Sequence, residues 1–442
     1  MHIELPSKVR HIINTLETAG YEAYAVGGCV RDSLMHRTPQ DWDVTTSARP
    51  ETVKSLFART IDTGIQHGTV TVMLEHEGFE VTTYRIDGIY EDARHPKEVA
   101  FTGSLTEDLE RRDFTVNAMA YNERAGLVDI FDGLKDLRRR VIRCVGDPKE
   151  RFTEDALRML RAVRFSAQMD FSIEDGTKRA IGLLAPSLKK ISAERIQAEL
   201  VKLLVSEHPE EIRTLRDTGI SREIFPWLDD MFEMPQNNPH HCYNVGEHTL
   251  HTLMNIPADK TLRLTMLFHD MAKPHCLTTD TKGIYHFRGH SKEGASMAQM
   301  VMRRLKFDNA TIDRVSRLIL WHDDNPQLTL PNVRRALYRI GPDCFPDLFL
   351  VKRADIMGKS SYRRDNKLIY IRTYEDMYRQ ILADGDCISL KELAVTGSDL
   401  IASGLKPGRG IGDMLEYLLS LVLEDPACNT KEFLIEKVKE RA

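Results

Sequence analysis

Two aspartates one residue apart, Asp41-Trp42-Asp43, stand out in the 442-residue chain as groups that can do chemistry. On a strand, residues i and i+2 point to the same face. Two carboxylates on one face suit a pair of Mg²⁺ ions, which activate an attacking 3′-hydroxyl and steady a leaving pyrophosphate. An isolated pair of this kind is more often two solvent-facing acids. Here only nine residues separate it from Arg31, in the segment Ala25-Val26-Gly27-Gly28-Cys29-Val30-Arg31-Asp32. That segment reads as a strand, a glycine turn and a helix start. Glycine lets the backbone approach a phosphate, helix N-terminal N–H groups favour anions, and an arginine adds charge-assisted donors. Gly28 and Arg31 are therefore candidates for holding a triphosphate.

A second pattern runs from Glu154 to Ala167. Apolar Leu157, Leu160 and Val163 interleave with Arg158, Arg161 and Arg164, which predicts a helix. Asp155 and Arg158, three apart, share a face of such a helix. A carboxylate accepts from a base amino group, and a guanidinium donates to ring nitrogen and carbonyl, so the pair can read a base edge without a template. Arg161 and Arg164 continue the stripe toward the phosphates. The competing reading of Asp155 and Arg158 is a surface ion pair worth roughly a few tenths of a kcal/mol.

A third set lies between 240 and 355. His248, the adjacent His269-Asp270 at the end of an apolar helix, and Asp355 combine imidazole and carboxylate, donors that suit a divalent metal able to activate water. His290 and His322 can complete a second metal position; a structural or surface role is the alternative for each.

The order of these segments carries a resemblance. Residues 27–43, with GGCVRD followed by DWD, resemble the opening motif of the polymerase-β-like nucleotidyltransferase superfamily, in the version found in class II tRNA nucleotidyltransferases (CCA-adding enzymes) and bacterial poly(A) polymerases. The run from Arg111 to Ala120 resembles the second family motif. It implies Arg112 at the nucleotide and Asp113 and Asn117 at or near its sugar. The run from Glu154 to Phe165 resembles the EDxxR helix, where the family selects CTP or ATP, and Ser192 to Ile196 resembles the later ERI motif. The stretch from Tyr90 to Phe101, with Arg94-His95-Pro96, resembles the flexible loop of CCA- and A-adding enzymes. His248, His269-Asp270 and Asp355 resemble the ligand set of the HD phosphohydrolase superfamily. There are two departures. His36-Arg37 stands where the nucleotidyltransferases usually carry a glycine, and Ala272 stands where HD proteins commonly do. Histidine tolerates a left-handed turn better than most residues, so a local change is expected at the first.

These groups need elements to position them. Tyr24 to Val26, Val70 to Leu74, Glu80 to Tyr84 and Gly126 to Phe131 read as strands, with Glu77-Gly78 between the second and third as a hairpin turn. From about 150 the pattern is helical, with a break near 226–240. The implied fold is α+β: a polymerase-β-like head over 1–145, a helical neck and body over 146–235, an HD domain over 236–360 and a helical tail over 361–442. Hydrophobic residues are 42% and charged residues 29% of the chain, an ordinary globular composition. No apolar run reaches the ~18–20 residues that span a bilayer. The N-terminal segment reads as an amphipathic helix, not a signal peptide. Net charge is −5, so any nucleic-acid surface must be local; the arginine clusters at 111–112, 138–140 and 158–164 supply one. Seven dispersed cysteines without a CxxC pair argue against disulfides and structural zinc, and fit the cytoplasm.

The expectation is a template-independent transferase with Mg²⁺ at Asp41 and Asp43, CTP and ATP as substrates and the tRNA 3′ end as acceptor. The HD residues are expected to hold a divalent metal whose identity the sequence leaves open. Poly(A) addition, A addition alone, and an HD hydrolase as the main activity are the rivals. Ala156, where poly(A) polymerases tend to carry proline, and a tail of mixed charge favour CCA.

Overall fold

A computed structural model describes residues 2–87 and 99–441. The charged loop around Arg94-His95-Pro96 lies outside the described residues. The chain forms two compact units, Met1–Asp229 and Asp230–Ala442.

The first unit is built on a sheet of β1 (Ala23–Val26), β2 (Asp43–Thr46), β3 (Thr60–Gly64), β4 (Thr69–Leu74), β5 (Glu77–Thr83), β6 (Met119–Asn122) and β7 (Gly126–Asp129), in the order β3-β4-β5-β2-β1-β6-β7. Neighbours are antiparallel except β2 and β5, which run parallel with Val44 opposite Val81. One face of the sheet is covered by α1 (Ser7–Thr18), whose Val9, Ile12, Ile13 and Leu16 recur at helical spacing and bury against Ala25, Val44, Val70, Val72 and Val81. The predicted hairpin forms, but its turn is Glu75-His76, with Glu75 at φ 57°. Gly78 is a strand residue opposite Met73. A Cβ there would stand 2.9 Å from Thr71 Cγ2, so the glycine answers cross-strand crowding and not a turn.

After β1 the chain enters α2 (Gly28–Leu34) through Gly27, at φ 81°. The helix ends at Leu34, and His36, just past its cap, adopts the left-handed φ of 57° expected where the family has glycine. The predicted helix from Glu154 to Ala167 is two helices. α3 (Pro148–Glu154) stops at Asp155, which is extended (φ −141°, ψ 103°), and α4 (Leu157–Met169) begins after it. Asp155 Oδ1 accepts from Leu157 N at 3.0 Å, a local bond that competes with helix continuation. Beyond lies α5 (Ala193–Leu204).

The second unit is all helix apart from a short hairpin, Thr278–Thr279 with Tyr285–His286. Its central helices are α6 (Val245–Met254), α7 (Lys260–Phe268), α8 (His290–Arg304), α9 (Asn309–Trp321), α10 (Phe345–Met357) and α11 (Arg364–Asp384). Asn244, Asp259 and Asp308 side chains cap α6, α7 and α9. Each such cap contributes about 1 kcal/mol. A last group of helices packs on Leu418, Val422, Leu434 and Val438. No helix among the described residues is long and apolar enough to cross a membrane.

Candidate nucleotide site and candidate metal centre

The glycine turn, the second arginine motif, α4 and α5 converge on one cavity of the first unit, of about 450 Å³. Gly27, Gly28, Arg31, Asp43, Arg112, Asp113, Asn117, Asp155, Arg158, Arg161 and Arg164 line it, together with Arg111 and Arg195. Seven arginines thus face three aspartates, an arrangement suited to a polyanion. Gly27 is required there twice over: its φ is positive, and a Cβ would stand 3.1 Å from Arg112 Nη1.

The arginines are held by a hydrogen-bonded chain. Arg31 donates to Asn117 Oδ1 at 2.6 Å, Asn117 Nδ2 donates to Asp113 Oδ1 at 3.2 Å, and Arg161 donates twice to Asp113 Oδ2 at 2.8 and 2.5 Å. Burial opposes charge on Asp113, but Arg161 outweighs it and holds the carboxyl down at about 2. Arg164 sits 3.9 Å over the Phe165 ring and pairs with Glu199 at 2.7 Å; burial lowers it to about 10. Arg111 and Arg112 both reach the fully buried Asp108, at 2.8 and 3.3 Å.

Asp155 and Arg158 do line the cavity together, but not as an i,i+3 pair on a helix face. Arg158 is taken by Glu154 at 2.6 Å and by the carbonyls of Arg151 and Arg111. Asp155 is held by Arg195 of the ERI segment, at 2.7 and 3.3 Å. The break between α3 and α4 makes this geometry: it frees Asp155 from the helix and turns it toward α5.

Asp41 lies two residues before β2 and Asp43 is its first residue, so the pair straddles the strand start. The alternation still holds. Both aspartates are exposed on one side, where they line a second cavity, while Trp42 packs on the core. Glu80 joins them. Val44 pairs with Val81, so Asp43 and Glu80, each one residue earlier on parallel strands, are neighbours. Asp43 remains solvent-accessible, yet desolvation by the surrounding protein, then repulsion from Glu80, raise its carboxyl above the usual range; Arg112 pulls the other way and Asp41 adds to the rise. Three carboxylates repelling one another fit a cation. Glu80, Asp108, Glu199 and Arg195 were missed as site residues by the sequence reading, although the ERI motif contained Arg195. A strand acid such as Glu80 carries no spacing signal until the parallel pairing is known.

In the second unit all the expected ligands meet, each from a helix end. His248 lies in the first turn of α6, His269 and His322 follow the last residues of α7 and α9, His290 opens α8 and Asp355 is in the last turn of α10. All are buried. Each imidazole Nδ1 faces a backbone carbonyl: Gly358 at 3.0 Å for His248, Met266 at 2.7 Å for His269, Phe287 at 2.8 Å for His290 and Ile319 at 2.6 Å for His322. An N–H must sit at Nδ1 to satisfy that carbonyl, which leaves a bare lone pair on each neutral Nε2. The Nε2 atoms then face each other, His248 to His269 at 3.2 Å and His290 to His322 at 3.3 Å. Two lone pairs at that distance repel, and a proton or a shared cation between them reconciles them. The donors form two clusters, His248-His269-Asp270 and Asp270-His290-His322, with Asp270 common to both. Asp355 lies 3.1 Å from His248 Nε2. The demand for positive charge shows in His269: burial opposes its protonation, but Asp270 and Asp355 outweigh burial and hold the ring up at about 9. The Ala272 methyl faces Gly294 of α8, where a Cβ would meet it at an ordinary contact distance of 3.7 Å.

The chain matches known families along most of its length. Residues 23–143 match the Poly A polymerase head domain, 170–232 the RNA and SrmB-binding site of polymerase A, and 277–438 the tRNA nucleotidyltransferase domain 2. It is 35% identical over 442 residues to a CCA-adding enzyme of Levilactobacillus brevis, covering 97% of this chain and 96% of that one. It is 53% identical over 221 residues to the CCA-adding enzyme of Leuconostoc mesenteroides, covering 50% of this chain and 55% of the relative. Among solved structures it is similar to the Bacillus stearothermophilus CCA-adding enzyme in complex with CTP, at 29% identity and TM-score 0.72, with 99% and 98% of the two chains covered. With the arginine-lined cavity beside a carboxylate pair and a full-length relative of this identity, the chain belongs to the CCA-adding enzyme family of tRNA nucleotidyltransferases.

Proposed function

We propose that this chain adds C, C and A to the 3′ end of tRNA from CTP and ATP. The single observation that carries the reading is the cavity in which seven arginines face Asp43, Asp113 and Asp155 beside the exposed Asp41. The RNA 3′-hydroxyl attacks the α-phosphorus of the bound nucleotide. A new P–O bond forms as the α–β bridge breaks, and pyrophosphate leaves. Divalent metal use is general in this family; we assign Mg²⁺ to Asp41 and Asp43, with Glu80 beside them, where it supplies a polarised hydroxyl and charge neutralisation. Gly28, Arg31 and Arg112 hold the triphosphate. Asp113 and Asn117 set the positions of Arg161 and Arg31 and face the sugar. Asp155 and Arg158 read the base, Arg195 orients Asp155, and Arg164 supports α4 through Glu199. Asp41→Ala is expected to abolish incorporation of CTP and ATP into tRNA lacking its 3′ end, with the circular-dichroism spectrum unchanged. Retained incorporation overturns the metal assignment.

The opposed lone pairs of His248 and His269, and of His290 and His322, favour a second activity. We assign these residues, Asp270 and Asp355 to a divalent metal centre that hydrolyses phosphate at RNA 3′ ends, either 2′,3′-cyclic or 3′-phosphate. That reaction would regenerate the 3′-hydroxyl that the first site consumes. Phosphate release from cyclic-phosphate ends, lost in Asp270→Ala and kept in Asp41→Ala, is the expected result; release that persists in Asp270→Ala overturns it. The proposed division is a head over 1–145, a neck and body over 146–235, an HD domain over 236–360 and a tail over 361–442. The proposed location is the cytoplasm, in keeping with seven free cysteines.

A further inference from the structure

Beside the histidine cluster opens a cavity of about 660 Å³, within the range of small-ligand sites. His322 and Asp355 form part of its wall, so it abuts the metal centre. From there it runs along α11. Arg363, at the cap of that helix, Lys367 and Tyr370 are spaced i, i+4, i+7 and share one face. Neither Arg363 nor Lys367 forms an ion pair among the described residues; Lys359, nearer the cluster, pairs with Asp355. Ile356, Ile371 and the Tyr370 ring add apolar surface, and Asn238 and Asn366 add amides. The cavity thus offers, in order from the metal ligands, a lysine, two cations without acid partners and a mixed apolar and amide wall. A second, smaller cavity with Lys273 and Arg288 opens on Asp270 and His290 and shares Asn238, His241, His322, Asp323 and Lys359 with the first.

One phosphate on the metal centre would use Lys359 and the ligands themselves. It would leave the exposed Arg363, which lies 5.3 Å over the Tyr362 ring, and the partly buried Lys367 side by side on the cavity wall, two like charges that an anion would join. Resting on the hydrolase reading of the histidine cluster, we propose that this cavity binds a nucleotide bearing phosphate on both sides of its ribose. The reacting 2′- or 3′-phosphate lies at the cluster, the 5′-phosphate lies on Arg363 and Lys367, and the base lies against Tyr370 and Ile371. A nucleoside 3′,5′-bisphosphate and the last nucleotide of an RNA chain share this chemistry.

The test uses the full-length protein and calorimetric binding of adenosine 3′,5′-bisphosphate and adenosine 3′-monophosphate. The wild type is expected to bind the bisphosphate at least about ten-fold more tightly, the scale of one charge-assisted contact. Arg363→Ala with Lys367→Ala is expected to bind both equally, while its CTP incorporation into tRNA is unchanged. Because the first site also binds nucleotides, the difference between wild type and this double variant is the reading that counts. Arg363→Lys with Lys367→Arg should restore the preference, which separates charge from folding. Equal affinities in the wild type, or a preference that survives in the double alanine variant, overturn the proposal. An RNA oligonucleotide ending in a 3′-phosphate should displace the bisphosphate; failure to do so overturns the RNA end as source and assigns the free nucleotide. Phosphate release from cyclic ends without any bisphosphate preference overturns this inference alone. A preference with no hydrolysis under Mn²⁺, Co²⁺ or Ni²⁺ overturns the hydrolase reading alone.

Discussion

Replacing Arg195 by alanine removes the only side-chain partner of the Asp155 carboxylate among the described residues, at 2.7 and 3.3 Å, without touching any residue assigned to metal or phosphate. Asp155 sits in extended backbone between two helices, where its other bond is from Leu157 N to Oδ1 at 3.0 Å. A charge-assisted hydrogen bond contributes about 1.5–3 kcal/mol. If all of it serves to aim Asp155 at the base, the loss corresponds to about 10- to 150-fold in discrimination. The assay is single-nucleotide extension of tRNA ending at the discriminator base, with kcat/KM measured for CTP and for UTP. The expected result is a selectivity for CTP over UTP that falls by at least about ten-fold, with a much smaller change in the thermal midpoint. Asp155→Ala should lower selectivity by itself, and adding Arg195→Ala to it should cost no more, because the two act as one unit. Unchanged selectivity in a folded Arg195→Ala protein, or additive losses in the double variant, would refute the idea that Arg195 works through Asp155.

Asp113→Asn should lose about 2 kcal/mol of stability at pH 7, the worth of a carboxyl moved from 3.8 to about 2. The sign follows from the lowered value: the contribution is full above pH ~4 and vanishes as pH falls toward 2. Urea titrations at pH 7 and pH 3 should therefore show a deficit at the first that shrinks at the second. Glu80→Gln, by removing one of three mutually repelling acids, should lower the affinity for Mg²⁺, read as a higher Mg²⁺ concentration for half-maximal CTP incorporation; an unchanged Mg²⁺ dependence would exclude Glu80 from the site. A transition metal at one hundred times its Kd should stabilise the second unit by about 2.7 kcal/mol, seen as a rise in a thermal transition that chelation reverses and His269→Ala abolishes.

The parts of the site legible in the sequence were those carried by local spacing. The Asp41 and Asp43 alternation and the glycine turn at Gly27-Gly28 follow from backbone geometry within a few residues, and the left-handed His36 follows from the resemblance to a family with glycine at that place. His269-Asp270 at the end of an apolar helix was also local, and His248, His290, His322 and Asp355 lie beside it. What local periodicity could not show was competition. It predicted one helix through Asp155, because apolar residues recur at helical spacing. The Asp155 carboxylate bonding Leu157 N, and Arg195 drawing it away, broke that helix instead. Gly78 was misplaced for the same kind of reason. It resembles a turn glycine in sequence, and only the register opposite Met73 shows that Thr71 leaves no room for a Cβ. Glu80 and Asp108 depend on strand pairing and on a buried contact between distant residues, neither of which leaves a trace in spacing.

The most direct measurement of the central claim is to incubate the protein and Mg²⁺ with tRNA ending at the discriminator base, in CTP alone, ATP alone or both, and to size the products. CCA addition predicts two added nucleotides with CTP, three with CTP and ATP, and a stop there. Long tails with ATP alone, or no extension in any mixture, would contradict it.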